Sequence, residues 1–496
     1  MTYNKKDNST IINEATNHPL NTFFYPETVA IVGATRNPMR MNSPLTENMV
    51  RLKFKGKLFP VNPFADEING IKAYPSLKDI PVKIDLVVVA TPAKQCPNII
   101  KDCIEIGIKQ LVIVTGGFSE GGAEGEKLHN EIKDLIQSGD IRTIGPNTLS
   151  PINTENNLII SFHDVLHLKK GGLSMVFQSG LYEYKMDWIF SYMGINKIID
   201  LGNKIDLTEV EALEYLSLDK STKTIAMHIE SIKGNGKKFK DNLMNTTIKK
   251  PVIILKSGRT SAGSKAAASH TGSIASENDL IFDSLIKQSG GIRANDLEEF
   301  FDFAKAFEFL EPPKGNRLAI ITLSGGEGVI ATDSCETHGF QMAKISQESS
   351  RKLKEIFPPW EVPINPFDSG VCMEFHAENF ESALNLLSTI PEDEGVDCLV
   401  MQLPSTVLLR ASFILKLSAA ELIPVMDILI NIFKNLQKAG KPIAFWKSSM
   451  EELETFFVNR LELQSIPVFP TPNRAIKALA SLYQYNVRKE KRLKQG

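Results

Sequence analysis

The chain is built from short, unbroken apolar runs, each ended by a glycine, proline or small polar residue and each followed by a helix-length stretch. Thr28–Gly33 (TVAIVG), Lys57–Pro63 (KLFPVNP), Ile84–Ala90 (IDLVVVA), Gln110–Gly116 (QLVIVTG) and Arg142–Pro146 (RTIGP) are the first five. Runs without polar alternation belong to strands buried on both faces, which is the habit of parallel sheets. Asn98–Gly107 and Gly122–Ser138 lie between them with helical length and composition. The pattern predicts an α/β, doubly wound domain whose ligands sit beyond the carboxyl ends of its strands.

The pattern then recurs. A second block has strand-like runs at Leu173–Phe177, Ile195–Leu201, Thr224–Ile229 and Pro251–Lys256, with helical stretches at Tyr182–Ser191, Val210–Leu216 and Lys237–Asn245. A third opens with Arg317–Thr322 and Ser324-Gly-Gly-Glu-Gly328 and continues through Cys398–Gln402, Pro442–Trp446 and Pro467–Phe469. Glu311-Pro-Pro-Lys-Gly315 reads as a linker, because Pro-Pro cannot continue a helix. The expected organisation is three doubly wound domains in series. Residues 1–21 form a polar segment, followed by domains at 22–154, 155–312 and 315–485 and a basic tail at 486–496 that reads as a solvated, frayed helix end.

Composition narrows the function. Lys+Arg number 56 against 58 Asp+Glu, so no electrostatic footprint for nucleic acid or an acidic membrane is present. Cys96, Cys103, Cys335, Cys372 and Cys398 are scattered, with no C-x-x-C pair to suggest a zinc site, and point to a reducing cytoplasm. The N-terminus shows no apolar core of a secretory signal. Phe413–Phe433 is the most membrane-like stretch, but Lys416, Glu421, Pro424 and Asp427 make it an amphipathic helix rather than a span.

Chemistry is expected at the strand ends. Gly33-Ala34-Thr35-Arg36-Asn37-Pro38 can bring backbone close to a phosphate, or serve as a plain strand-to-helix turn. Val61-Asn62-Pro63, Ala90-Thr91-Pro92, Thr115-Gly116 and Gly145-Pro146-Asn147 add small or polar residues at successive strand ends, as a nucleotide-like ligand requires. The first turn is not G-x-G-x-x-G, and no acid follows the second strand to hold a ribose, which counts against an NAD-dependent dehydrogenase.

The second block carries a sharper feature. His270 lies in Ala266-Ala-Ala-Ser-His-Thr-Gly-Ser273, where the absence of bulk lets another group approach the imidazole. Imidazole is largely unprotonated near neutrality and forms a labile phosphoramidate. A lone His in such a loop is otherwise more often structural. Gln178-Ser179-Gly180 ends a strand and opens a helix, so its N–H groups could hold a phosphate. Glu230 ends another strand and could orient the imidazole, or be a solvated surface acid.

Taken together and in order, GATRNP, FPVNP, ATPA, TGGF, GPN, QSG, LGNK, HIE, KSGR and AASHTG resemble the alpha subunit of the NDP-forming (ADP-forming) acyl-CoA synthetases, within the succinyl-CoA synthetase superfamily. The similarity spans about residues 22–480, and the third block resembles that family's extra flavodoxin-like domain. The resemblance implies a CoA-binding Rossmann-like domain followed by two flavodoxin-like domains. CoA would lie along Gly33, Ala34, Thr35, Asn37, Pro38, Val61, Asn62, Pro63, Ala90, Thr91, Pro92, Thr115 and Gly116, and the acyl phosphate near Gly145, Pro146, Asn147 and Thr148. His270 would carry the phosphoryl group, oriented by Glu230, with Ser179, Gly180, Thr271 and Gly272 around the phosphate. The substrate would be a small carboxylate.

No P-loop and no further domain-sized segment is seen, so ATP/ADP and Mg²⁺ are expected on a separate ATP-grasp beta subunit, in a heterotetramer or similar assembly. Three departures from the family pattern stand out: Met41-Asn42 for a small pair in the loop expected to close on CoA, Thr148 for the usual cysteine, and Leu181-Tyr182-Glu183-Tyr184 for a small run. They bear on the acyl pocket and CoA affinity, and Glu183 is a second candidate carboxylate near His270. The alternative reading is a non-catalytic CoA-binding or regulatory homologue.

Overall fold

The computed structural model describes residues 14–495, except 179, 266–278, 376–379, 406–407, 410–411, 414–415, 439 and 450. The chain divides into two compact units, Met1–Arg293 and Ala294–Gly496. The first unit holds two sheets and the second unit is built on one.

The first sheet contains β1 (Thr28–Val32) and β2 (Lys57–Val61), which is followed by a small hairpin, β3 (Glu67–Ile68) and β4 (Ile71–Lys72). It continues with β5 (Leu86–Val89), β6 (Gln110–Ile113) and β7 (Arg142–Ile144) in the parallel order β2-β1-β5-β6-β7. Strand alternation sends successive side chains into two different cores. Val29, Ile31, Leu86, Val88 and Val112 enter one, while Ala30, Val32, Val87, Val89, Leu111 and Ile113 enter the other. Both faces are dry, which is why the runs are continuously apolar.

The second sheet contains β8 (Ile152–Asn153), β9 (Leu158–Ile159), β10 (Lys170–Phe177), β11 (Ile195–Asp200), β12 (Thr224–Ile229), β13 (Val252–Lys256) and β14 (Ile292–Ala294), in the order β14-β13-β12-β10-β11-β8-β9. β8 and β9 are antiparallel additions to an otherwise parallel core. The second unit carries β15 (Arg317–Thr322), β16 (Gln341–Met342), β17 (Phe367–Asp368), β18 (Cys398–Gln402), β19 (Ile443–Trp446) and β20 (Val468–Phe469), in the order β16-β15-β18-β19-β20 with β17 also on β15.

Several expectations shift. The helix Leu297–Phe309, read from sequence as the end of the second block, belongs to the second unit. There it packs on the long helix Pro472–Gln495 through Arg474–Asp302 and Lys477–Glu299 ion pairs. Tyr182–Ser191 is not one helix but a 3-10 segment, Gly180–Lys185, followed by Met186–Tyr192. The amphipathic helix expected from Phe413 starts at Ile423 instead. Pro424 explains the start, since the first turn is where a missing N–H is tolerated. Met426, Leu429, Ile430 and Phe433 form its buried stripe. Among the described residues, no helix is long and apolar enough to cross a membrane. The basic tail is helical to Gln495.

Candidate active site

The first sheet ends in tight turns. Gly33 sits at φ +88 and donates its N–H to Val61 O at 3.0 Å. A Cβ there would lie 2.8 Å from both Ala90 O and Thr91 Cγ2, so only glycine lets β1 and β5 end side by side. The polar residues expected to contact CoA shape the loops around it. Asn62 Nδ2 donates to Ala34 O (2.8 Å), Thr35 Oγ1 accepts from Asn37 N (3.1 Å), and Thr115 Oγ1 donates to Thr91 O (2.6 Å). The chain does not enter a helix directly after Gly33, as a strand-to-helix turn would. The Asn37 side chain accepts from Met39 N, and turns continue to Ser43 before the helix Pro44–Arg51 begins.

Asn42, expected only as added bulk, has a structural task. Its Nδ2 donates to Gly33 O (2.8 Å) and Ala90 O (3.3 Å), stapling two strand ends. Met39, Met41 and Phe64, on the loops after β1 and β2, stand 89%, 71% and 90% exposed.

The Gly145–Thr148 loop is where the first sheet meets the second. Gly145 (φ +96) would place a Cβ 2.6 Å from Ile113 O, and Asn147 (φ 61) donates its N–H to Thr115 O at 3.0 Å. From the second sheet, Gly202 approaches so closely that a Cβ would lie 2.2 Å from Pro146 O. Asn203 N and Ile205 N donate to Pro146 O (2.9 Å) and Gly145 O (3.0 Å). The Asn203 amide also donates to Glu120 Oε2 at 2.6 Å, and Glu120 Oε1 takes the Gly117 N–H at 2.6 Å. Burial alone would raise the Glu120 carboxyl, but these donors hold it below the usual carboxylate range. Sequence reasoning placed LGNK in the motif set without a role; its role is this docking.

Thr148 is buried, with its hydroxyl donated to Asp200 O at 2.5 Å, and Ser150 Oγ donates to the same oxygen at 2.9 Å. The Asp200 carboxylate accepts Leu149 N (2.8 Å) and Gly202 N (3.1 Å), clamping both loops together. Complete burial, aided by the Glu183 charge, pushes this carboxyl up to about 7. Asp200 escaped the sequence reading. Its signal was an acid ending the otherwise apolar run IIDLG.

The strand ends of the second sheet carry the residues expected on the phosphoryl side. Glu230 follows β12 and accepts from Gln178 Nε2 at 3.2 Å. Lys256 Nζ donates to Glu230 O (2.8 Å) and Ser257 O (3.0 Å), tying the ends of β12 and β13. His228, 6% exposed, lies one step below, with Nε2 2.5 Å from Ser257 Oγ. Tyr182 stacks on Phe177 (ring centroids 4.2 Å) and meets His228 edge-on (5.7 Å). Burial pushes the His228 imidazole down to about 4, so it is neutral at physiological pH. Gly180 is exposed with open space around its Cα.

Ser179, His270, Thr271 and Gly272 lie outside the described residues. On either side of residues 266–278, Arg259 Nε meets Asp279 Oδ2 (3.0 Å) and Arg293 meets Asp279 Oδ1 (2.8 Å). Among the described residues, no group of His, Cys, Asp and Glu is arranged to hold a metal ion.

Comparison with known proteins names the families of the first two regions. Residues 27–153 match a CoA-binding domain family, and residues 170–307 match the succinyl-CoA-ligase-like flavodoxin domain. The alpha subunit of ADP-forming acetate–CoA ligase I from Pyrococcus furiosus is 32% identical over 481 residues, covering 95% of this chain and 99% of that one. The ADP-forming acetate–CoA ligase II of Archaeoglobus fulgidus is 35% identical over 474 residues, and the chain spans 67% of its length. Among solved structures, acetyl-coenzyme A synthetase 1 of Candidatus Korarchaeum cryptofilum, determined with phosphate and ADP, superposes with a TM-score of 0.80 at 30% identity, over 98% of this chain and 99% of that one.

Proposed function

The chain belongs to the ADP-forming acetate–CoA ligases, and from that premise we propose that it is the alpha half of an acyl-CoA synthetase working through phosphohistidine and acyl phosphate. The reaction is carboxylate + ATP + CoA giving acyl-CoA + ADP + phosphate, reversibly. CoA lies along the Gly33, Asn62 and Thr91 turns, a reading supported by the CoA-binding family match of this domain. A carboxylate oxygen attacks phosphorus on His270, so an O–P bond forms as the N–P bond breaks and its electron pair returns to the imidazole. The CoA thiolate then attacks the acyl carbon and phosphate leaves with the cleaved C–O bond. Glu230 holds one ring nitrogen and frees the other, Ser179, Gly180, Thr271 and Gly272 surround the phosphate, and Gly145–Thr148 border the acyl group. Positioning and charge neutralisation supply most of the catalysis in such transfers.

The observation that carries the reading is the seam between the first two sheets. Gly202 and Asn203 bind the Gly145–Asn147 loop, bringing the expected acyl site to the same sheet whose next strands end in Glu230 and Ser257. We further assign ATP, ADP and Mg²⁺ to a separate ATP-grasp beta subunit, and place the chain in the cytoplasm, where its five free, buried cysteines stay reduced. The domain limits at 22–154, 155–312 and 315–485 are retained as the working division for this scheme, except that Leu297–Phe309 is counted with the last.

The test is direct. The chain is mixed with an ATP-grasp partner and γ-labelled ATP, and acid-labile, base-stable label is sought on His270. Label on the wild type that disappears in His270→Ala supports the mechanism. Label persisting in that variant removes it, and no label on the wild type favours a non-catalytic homologue.

A further inference from the structure

Glu230 is not the only polar group at the end of the second sheet. Strands β12 and β13 pair in parallel with His228 opposite Leu255 and Ile229 opposite Lys256. Continuing that register sets Glu230 beside Ser257, on the side-chain row above His228. His228 is buried and Ser257 only half-buried, so the pair runs from the interior toward the carboxyl ends of the strands, where ligands of parallel sheets bind.

The hydrogen-bond roles can be assigned. His228 Nδ1 is buried and has no partner among the described residues. A buried N–H without an acceptor is rarer in folded proteins than an unmatched acceptor, so the imidazole proton belongs on Nε2. Nε2–H therefore donates to Ser257 Oγ across 2.5 Å. With its oxygen accepting from below, the Ser257 hydroxyl has its own proton left to donate, and no described residue takes it. Its backbone is fixed as well, with Ser257 N donating to Ile229 O (3.0 Å) and Ser257 O accepting from Lys256 Nζ.

We infer that Ser257 is a phosphoryl-binding hydroxyl, held at the strand ends by His228, which acts as a positioning residue. The inference rests on the phosphohistidine reading above and adds a donor to it. In the transfer an N–P bond to His270 forms as the O–P bond of the donor phosphate breaks, and charge spreads over the three non-transferring oxygens. The preset Ser257 O–H stabilises one of them without reorganising, because the imidazole beneath has already fixed its orientation. His228 never contacts phosphate and never changes protonation.

The experiment is rapid-quench phosphorylation of the chain by γ-labelled ATP with its ATP-grasp partner, run alongside thermal unfolding. Ser257→Ala is expected to slow label incorporation by about 10²-fold, the usual cost of one preorganised donor, with its melting temperature lowered by the loss of the acceptor for the His228 N–H but the chain still folded at the assay temperature. Ser257→Thr keeps the hydroxyl and should stay within about 10-fold of wild type. His228→Phe should slow transfer as Ser257→Ala does, and the double variant should be no slower than Ser257→Ala alone. His228→Gln, which can present an N–H near the Nε2 position, should recover most of the rate.

Wild-type rates in Ser257→Ala overturn the proposal, as does a fully additive double variant. A loss of stability in Ser257→Ala without slower transfer overturns it too. Absence of label on the wild type itself would remove the phosphohistidine reading and this inference with it. A labelled wild type with an unaffected Ser257→Ala removes this inference alone.

Discussion

Asp200 offers a test whose size can be worked out beforehand. Its carboxylate is fully buried between two loops, and burial raises it from an ordinary 3.8 to about 7 in the folded chain. Between those values the folded state holds a proton that the unfolded state has released. Stability therefore falls as pH rises through this window, and the contribution is lost once pH passes about 7. At about 1.4 kcal/mol per pH unit, the stretch from pH 5 to pH 7 is worth about 3 kcal/mol.

Asp200→Asn removes that dependence. The Asn oxygen can accept only one of the Leu149 and Gly202 N–H groups, and the other is left unmatched at about 1–3 kcal/mol. The variant should thus be less stable than wild type at pH 5. At pH 8 the difference should move by about 3 kcal/mol in its favour. Urea unfolding followed by Trp188 fluorescence, in a background with Trp360 and Trp446 changed to Phe, reports the first unit. His228 and every other titrating group are common to both proteins and cancel in the difference. If the stability difference is the same at pH 5 and pH 8, Asp200 does not titrate in this range and the argument from burial is wrong.

Other consequences are open to measurement. His228 is held down to about 4 by burial, so the unfolded state binds its proton first as pH falls. Stability should drop from pH 6.5 toward pH 4 by up to about 3 kcal/mol, and His228→Gln should flatten that limb in urea titrations. Gly202→Ala puts a methyl 2.2 Å from Pro146 O at a left-handed position; a cost of about 2–4 kcal/mol and loss of acyl-CoA formation should appear together in thermal melts and thiol-release assays. In the second unit, Lys305 and Glu462 form a buried ion pair. Glu462→Gln should cost about 3–5 kcal/mol, whereas Lys305→Met with Glu462→Leu should recover most of it in equilibrium unfolding.

The three-sheet architecture was readable because its central strands are dry on both faces. TVAIV and LVVV alternate between two cores, so no polar residue interrupts them. The two-residue strands β3, β4, β8, β9, β16 and β17 were unreadable, since two residues carry no period, whereas β20, equally short, has its apolar pair framed by Pro467 and Pro470. The expected start of a helix at Phe413 failed for a different reason. Apolar composition extends upstream of Ile423, and Pro424 was counted against a span when its better use was as a start signal. At the site, Gly33, Gly145 and Asn147 were legible because tight turns demand those residue types. Asn42, Glu120, Asp200 and His228 were not, because each has a partner more than 25 residues away in sequence, even where, as with Asn42, Glu120 and Asp200, it also bonds a near neighbour.

One signal was available and went unused: a polar residue inside an otherwise continuous apolar strand. Of ionisable groups the second sheet buries four, Lys197, Asp200, His228 and Lys256, all with at most 6% exposure, and Lys256 gives its ammonium to the Glu230 and Ser257 carbonyls. Burial of such groups costs several kcal/mol unless they are matched, so each must answer to a partner or a ligand. Lys197, early in β11, is matched within the fold, its Nζ lying 2.9 Å from Asp219, 3.2 Å from Glu155 and 3.4 Å from Asn196. That is a structural ion pair. Asp200 and His228 fall at or next to the carboxyl ends of their strands, and neither is matched by an opposite charge. Each instead fixes something at the strand ends: Asp200 the loop at the expected acyl site, His228 the hydroxyl of Ser257. Position along the strand and completeness of matching together separate the polar groups that hold this sheet from those that fix the loops and hydroxyls at its carboxyl edge.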